Sequence, residues 1–478
     1  MPVRARGPAR SPSKLREQIE SAAEASAEGR AQSSSSRGGK QVSVNTQHEH
    51  SALISRLDRE RYTHPASIFA ALETGSVRLV KSSWLIAQWK AGRILHRRQE
   101  TPEAAFITVT ELKALFGEGN KDGVLPIIAV SFCWLTAAHP DPEGQQLALV
   151  AAALEREQAN YKKQIGAAKG FEEMGVFWDW LSICQKDPSL FDGSQTPDAV
   201  PKAEKPAFIK ALSARRKFFG GEAYEMSRNA EEKALFAHAL HETMDLWYAH
   251  QGTTVYMLTK LPEGSTRRSG YGDSGWTTYE RCSAEQIKKF FLLRAEWKLV
   301  LDLGAAAGEE GQRSWPIGPD DFDKLIATKA FTNGADTQVV QSLFRKMSTG
   351  QLGGITALNF EGMRPPTLED ARHLSGCLNL CVSLESLVLN GVGLDNATCR
   401  VIFSNLVEGA LPALKSLGLI SITARRIADS GAGAIADACE MGAMAKLALL
   451  QLEGNDISEA LLKRLRAVMV KRNGKVRF

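Results

Sequence analysis

The chain has 478 residues, of which 44% are hydrophobic and 24% charged, with a formal net charge of +5. It is too long for one ordinary core, and dividing by a typical domain size gives about three units. The composition excludes disorder throughout, and basic residues interleaved with acids give no warrant for nucleic-acid binding.

Residues 1–47 carry Ser33–Ser36, Gly38, Gly39 and scattered Arg with almost no large apolar residue. They cannot bury enough surface to offset the entropy of ordering, so a disordered segment is expected. The acid-free first 16 residues leave a transit peptide open as an alternative. Residues 51–120 change to short amphipathic patterns, Ala52, Leu53 and Leu57, then Ile68 and Leu72, then Trp84, Leu85 and Trp89, which predict a helical preface.

An α/β region spans 124–303. Ile127–Trp134, Val176–Gln185 and Thr253–Leu258 are short apolar runs separated by helical patterns, which predicts buried parallel strands of a βαβ series. Gln145–Gln164 places Leu147, Val150, Ala151 and Leu154 on one helical face, and Ala230–His250 does so with Phe236, Leu240, Met244 and Trp247. Both helices can cover the sheet. The polar stretch 187–228 is longer than an ordinary strand-to-helix connection, a length often used by lids and binding loops.

A Gly- and Glu-rich stretch opens 304–330, which is expected to be a linker. In 331–478 the pattern Leu-x-x-Leu-x-Leu starts at Ile355, Leu384, Leu414 and Leu447, at intervals of 29, 30 and 33 residues. A period in this range, with a helical half in each unit, predicts a short leucine-rich repeat solenoid of about four units, the minimum for a continuous core being about three. Only the last unit has Asn, Asn455, at the expected turn position. The stretch Lys463 to Phe478 holds seven Lys or Arg and no acid, which predicts a solvated capping helix.

In open α/β sheets ligands bind outside the carboxyl ends of the strands, so Ser131, Trp134, Asp179, Ser182 and Gln185 are expected along one edge. Trp276 and Glu280 stand four apart after a Gly-rich loop, and both can face that edge across one helical turn. A structural role, Trp276 filling core and Glu280 orienting a loop, is the plainer alternative. Glu231, Glu232 and Glu242 follow the insertion, where a carboxylate could stabilise an oxocarbenium-like transition state, surface solvation being the commoner fate.

His48-Glu-His50, His238 with His241, and Cys377 with Cys381 approach metal spacing without completing a ligand set, so no metal is expected. No phosphate-binding, dinucleotide, zinc-protease or nucleophile-elbow motif occurs. Cys133, Cys184, Cys377, Cys381, Cys399 and Cys439 lie within apolar runs, which predicts reduced, buried thiols and a cytoplasmic protein. The best apolar stretch, Val124 to Ala138, is interrupted by Pro126, Ser131 and Thr136, so no membrane span is expected.

Ser131-Phe-Cys-Trp134, Phe177-Trp-Asp-Trp-Leu-Ser-Ile-Cys-Gln185, Met244-Asp-Leu-Trp-Tyr248 ahead of Val255-Tyr-Met-Leu258, and Gly275-Trp-Thr-Thr-Tyr-Glu280 resemble, in order, the motifs of the heterokaryon-incompatibility domain. That family is related in architecture to Toll/interleukin-receptor domains and includes forms fused to leucine-rich repeats. The resemblance covers roughly Val124 to Phe291. It implies a flavodoxin-like sheet, a signalling effector that self-associates, and in some relatives cleavage of NAD(P) as a substrate, with no cofactor required. Carried over by position, Ser131, Trp134, Gln185 and Trp276 would bind ligand, and Asp179 and Glu280 would join one of Glu231, Glu232 and Glu242 in catalysis. Leu135 and Ser274 stand where the family commonly has Gly and Arg. The expectation is a sensor-effector whose repeats bind a protein partner, against a non-catalytic scaffold.

Overall fold

The computed structural model describes residues 60–116, 123–164, 173–192, 220–267, 269–289, 297–331 and 336–478. The segment expected to be disordered, His48-Glu-His50, and residues 193–219 of the long insertion lie outside the described residues.

Two sheets organise the rest. The first has six strands, β1 (Leu79–Lys81), β2 (Phe106–Ile107), β3 (Ile127–Ser131), β4 (Gly175–Phe177), β5 (Thr254–Met257) and β6 (Val300–Asp302), in the order β2-β1-β4-β3-β5-β6. β3 to β6 are mutually parallel, while β1 runs antiparallel to both β2 and β4. The 51–120 stretch is therefore not wholly helical. Alongside helices α1 (Pro65–Glu73), α2 (Ser82–Lys90) and α3 (Val109–Leu115) it supplies two strands, β2 at the sheet edge and β1 next to it, too short for their alternation to register against the helical periodicity around them.

Alternation along β3 assigns the two faces. Ile128 and Val130, with Val176 and Tyr256, pack with Leu147, Val150 and Leu154 of α4 (Gln145–Gln164). Ile127 and Ala129, with Phe177 and Val255, pack on the opposite side. There a helical turn α5 (Asp179–Ser182) follows β4, and α6 (Glu222–Met226) and α7 (Ala230–His238) lead to a π-helical segment, Ala239–Thr243, before α8 (Met244–Ala249). The single helix expected over 230–250 is thus interrupted. Arg61 explains where: its guanidinium donates to the Glu242 carbonyl at 2.5 Å and pairs with Asp245 at 2.8 Å, while the Tyr62 hydroxyl donates to Asp245 at 2.6 Å.

Helix α9 (Gly275–Glu285) packs on α8 and on α11 (Asp336–Gly354). The stretch expected to be a linker instead contains helix α10 (Pro319–Ile326), whose Phe322 stacks on Phe344 of α11 with ring centroids 3.7 Å apart. Trp315 is buried, donates to the Arg364 carbonyl at 3.2 Å and lies 5.2 Å from the Phe360 ring. The Gly and Glu content of 304–312 hid these anchors. One continuous apolar cluster runs from Tyr62 through Val255 and Phe344 to Met469, so the two sheets share a core.

The second sheet is all parallel, β7 (Ala357–Asn359), β8 (Ser386–Val388), β9 (Ser416–Gly418), β10 (Leu449–Gln451) and β11 (Lys475–Arg477), stacked in chain order. Helices α12 (Leu368–Leu378), α13 (Asn396–Ser404), α14 (Asp429–Glu440) and α15 (Glu459–Val470) connect them. Leu358, Leu387, Leu417 and Leu450 face one another in register and are buried, as the leucine spacing requires. The basic C-terminal stretch is helix and then strand: β11 pairs with Leu449–Gln451, and its outer Lys475 and Arg477 are exposed. Cations on an edge strand discourage further pairing.

Candidate functional site

β3 lies between β4 on one side and β5 on the other, so the strand order reverses at its carboxyl end, the place where open α/β sheets hold ligands. Ser131 is the last residue of β3, fully buried and in register with Met257 of β5. Its hydroxyl donates to Glu280 Oε2 of α9 at 2.6 Å and lies 2.6 Å from the Tyr271 hydroxyl.

The chain beyond β3 carries Trp134 outward. Gln146 holds the Cys133 carbonyl at 2.9 Å, and Arg267 donates to the Trp134 carbonyl at 2.5 Å. The Trp134 indole N–H donates to Asp179 Oδ2 at 2.8 Å, and its ring meets Trp180 edge-on at 5.4 Å. Asp179 begins the helical turn after β4 rather than ending a strand, because Leu181 and Ser182 N–H groups fold back onto the Trp178 carbonyl at 2.8 Å. Its Oδ1 accepts from Trp180 N at 2.6 Å. Gln185 closes the turn by donating to the Asp179 carbonyl at 2.9 Å, and exchanges backbone hydrogen bonds with the Gln99 side chain.

The two carboxyls titrate in opposite regimes. Burial pushes Glu280 up to about 8, the Ser131 donor pulling the other way and the neighbouring Asp179 charge adding to the rise. Burial also pushes Asp179 up, to about 6, against the donors Trp134 and Trp180. Near neutral pH Asp179 is ionised while Glu280 holds its proton. Both side chains remain partly open at the surface. The Tyr248 hydroxyl, which donates to the Val130 carbonyl at 3.3 Å, is buried in the field of both and its pKa is raised well above the usual phenol range by burial first. A proton donor and a carboxylate within reach of each other's charge can perform acid–base or electrostatic work on a bound ligand.

The structure thus brings together Ser131, Trp134, Asp179, Gln185 and Glu280, and separates the remaining candidates from them. Trp276 turns away, its indole N–H donating to Asp336 of α11 at 3.0 Å and its ring lying edge-on to Tyr279 at 6.0 Å. Glu232 is spent on a capping box, accepting from Asn229 N at 2.9 Å while Asn229 accepts from Glu232 N at 2.9 Å. Glu231 is exposed on the same first turn, and Glu242 lies in the π-helical segment, where its carbonyl serves Arg61. Tyr271, Tyr248 and Arg267 belong to the site and were not singled out. A tyrosine between Gly270 and Gly272 just ahead of the Gly275-Trp276 motif was the available signal for Tyr271.

Among the described residues no group of three or more His, Cys, Asp or Glu side chains could hold a metal ion. His238 Nδ1 lies 3.0 Å from Ser76 Oγ, and the Cys381 thiol donates to the Cys377 carbonyl at 3.3 Å. No helix among the described residues is long and apolar enough to cross a membrane. No known family model matches the chain, and no curated protein matches it significantly.

Proposed function

We propose that this chain is a sensor-effector of the signalling class, its strand–helix stack acting as a leucine-rich repeat solenoid that binds a protein partner and its α/β unit as a flavodoxin-like, TIR/HET-like effector that self-associates. The observation that carries this reading is the single core shared by the two sheets, through which strain from an occupied stack can reach the α/β unit. Outward positions of the stack, Asn359, Ser386, Ser416 and Gln451, are partly or fully exposed beside the buried leucines, the arrangement of a solenoid binding face. The seven buried free cysteines fit a reducing, cytoplasmic setting.

The test is a full-length Asn359→Arg, Ser386→Arg, Ser416→Arg variant compared with the natural chain in affinity purification from its native source. Loss of a specific bound protein in the variant is the expected result. An identical set of bound proteins in both, or none in either, overturns the reading.

A second reading, NAD(P) cleavage, is favoured by the protonated Glu280 carboxyl, which lies in the field of ionised Asp179 at the strand-order reversal. Hydrolysis of an N-glycosidic bond passes through an oxocarbenium-like state that a nearby carboxylate stabilises. Nicotinamide release by the full-length chain, abolished in Glu280→Gln, is the expected outcome. No release from either dinucleotide overturns it.

A further inference from the structure

One strand beyond Ser131, the carboxyl ends of β5 and β6, helix α9 and the loop after β7 line an open cavity of about 210 Å³. Its charged lining comes from separate parts of the chain: Arg281 and Glu285 one turn apart on α9, Asp302 at the end of β6, Arg313 from the crossing stretch, and Arg364 from the stack. Three guanidiniums face two carboxylates.

The carboxylates are largely committed elsewhere. Asp302 Oδ1 accepts from Thr259 Oγ1 at 2.6 Å and from Gly304 N at 2.8 Å. Glu285 Oε1 accepts from Ser314 N at 2.8 Å, and burial raises its pKa, which favours its neutral form. Positive charge survives: burial lowers Arg313 only to about 10, so it stays cationic at neutral pH. The buried Nε of Arg281 meets Glu285 Oε2 only at 3.9 Å, too far for a hydrogen bond, and has no hydrogen-bond partner. Arg364 brings a third guanidinium from the other side, its charge shared with Asp370, to which it donates at 2.7 Å and 3.2 Å.

We propose that this cavity binds a small phosphate-bearing anion, a phosphate monoester or a diphosphate, and that its occupation clamps the α/β unit to the strand–helix stack. Forked guanidinium donors match phosphate oxygens and reward multiple charge, which a single carboxylate does not supply. The volume falls below the roughly 300–1,000 Å³ of drug-sized pockets, so the ligand is small. The site draws on residues outside the Ser131–Glu280 cluster and does not depend on any activity there.

The experiment titrates the full-length protein with sodium pyrophosphate by calorimetry at constant ionic strength, with thermal unfolding in parallel. Expected are a Kd on the order of 1 mM or tighter, a raised Tm, and about tenfold weaker binding in both Arg281→Gln and Arg364→Gln, the loss that follows from removing a charge-assisted hydrogen bond. Near-UV circular dichroism checks that each variant folds. Arg364 is largely at the surface, so Arg364→Gln decides the matter if Arg281→Gln does not fold. Absence of binding at millimolar pyrophosphate, or binding unchanged in the folded variants, overturns the proposal.

Discussion

Ser131 Oγ and Glu280 Oε2 lie 2.6 Å apart, joined across 149 residues at the end of the strand where the sheet order reverses. The pair fixes α9 to β3, and it leaves one hydroxyl responsible for a carboxyl, through Glu280, and for a phenol, through Tyr271. Ser131→Ala leaves both groups short of a partner. A loss of about 1–3 kcal/mol is expected in urea unfolding, the cost of stranding buried polar groups. The Glu280 pKa should rise further, because the Ser131 donor opposes its elevation. Carboxyl-resonance NMR titration of the variant checks this.

The two raised carboxyls make stability depend on pH in a defined direction. Unfolded, Glu and Asp ionise near 4.3 and 3.9, whereas Glu280 and Asp179 in the folded chain do so near 8 and 6. Between those limits the folded state binds more protons, so their contribution is most favourable at low pH and declines as pH rises. The decline involves both groups from about pH 4 to 6 and Glu280 alone from about 6 to 8, each with a slope of at most about 1.4 kcal/mol per pH unit. Glu280→Gln should flatten the upper part and roughly halve the slope of the lower, where Asp179 alone then remains. Denaturant midpoints measured from pH 5 to about 8.5 test it; an unchanged upper slope contradicts the assignment.

Trp134→Phe keeps the ring packed on Trp180 and removes the indole donor to Asp179. Destabilisation of roughly 1–2 kcal/mol is expected above the Asp179 pKa, where the ionised oxygen loses a donor, and less below it. Comparing unfolding at two pH values on either side of about 6 provides the measurement.

All nine tryptophans precede residue 316, so indole fluorescence reports on the α/β unit and, through Trp315, on its junction with the stack. Leu417, the central buried leucine of β9, belongs to the same apolar cluster as Val255 and Phe344. Leu417→Ala should cost about 2–5 kcal/mol, and the fluorescence transition should shift with it. A far-UV circular dichroism midpoint that moves while the fluorescence midpoint stays put would show two independent cores.

Period and run length made much of this legible. The leucine intervals placed Leu358, Leu387, Leu417 and Leu450 at equivalent positions, and the structure pairs them. The apolar runs at Ile127, Val176 and Thr253 marked β3, β4 and β5, since strands buried on both faces show little alternation. What stayed hidden was short or contextual. β1, β2, β6 and β11 have two or three residues each, below the length at which a period can be recognised. Asn455 stands at an expected turn position, but its bonds from Nδ2 to the Leu419 and Leu452 carbonyls, and to Oδ1 from Ile427 N, depend on the neighbouring strand–helix unit.

At the site, polar residues ending apolar runs pointed to Ser131, Trp134 and Asp179. Trp276 was placed with Glu280 on helical spacing, which fixes the backbone face but not whether a long side chain finds a better partner, here Asp336, on a helix 60 positions away. The glutamates of α7 looked equivalent to one another in sequence. Only the Asn229 cap separates Glu232 from Glu231.

The buried crossing stretch around Trp315, Phe322 and Phe344 has a consequence for how such a chain can be recombined. A chimera that grafts another strand–helix stack onto this α/β unit cannot be cut at residue 304. It must carry 315 to 352 with the α/β unit, or its newly bared aromatic face will drive aggregation.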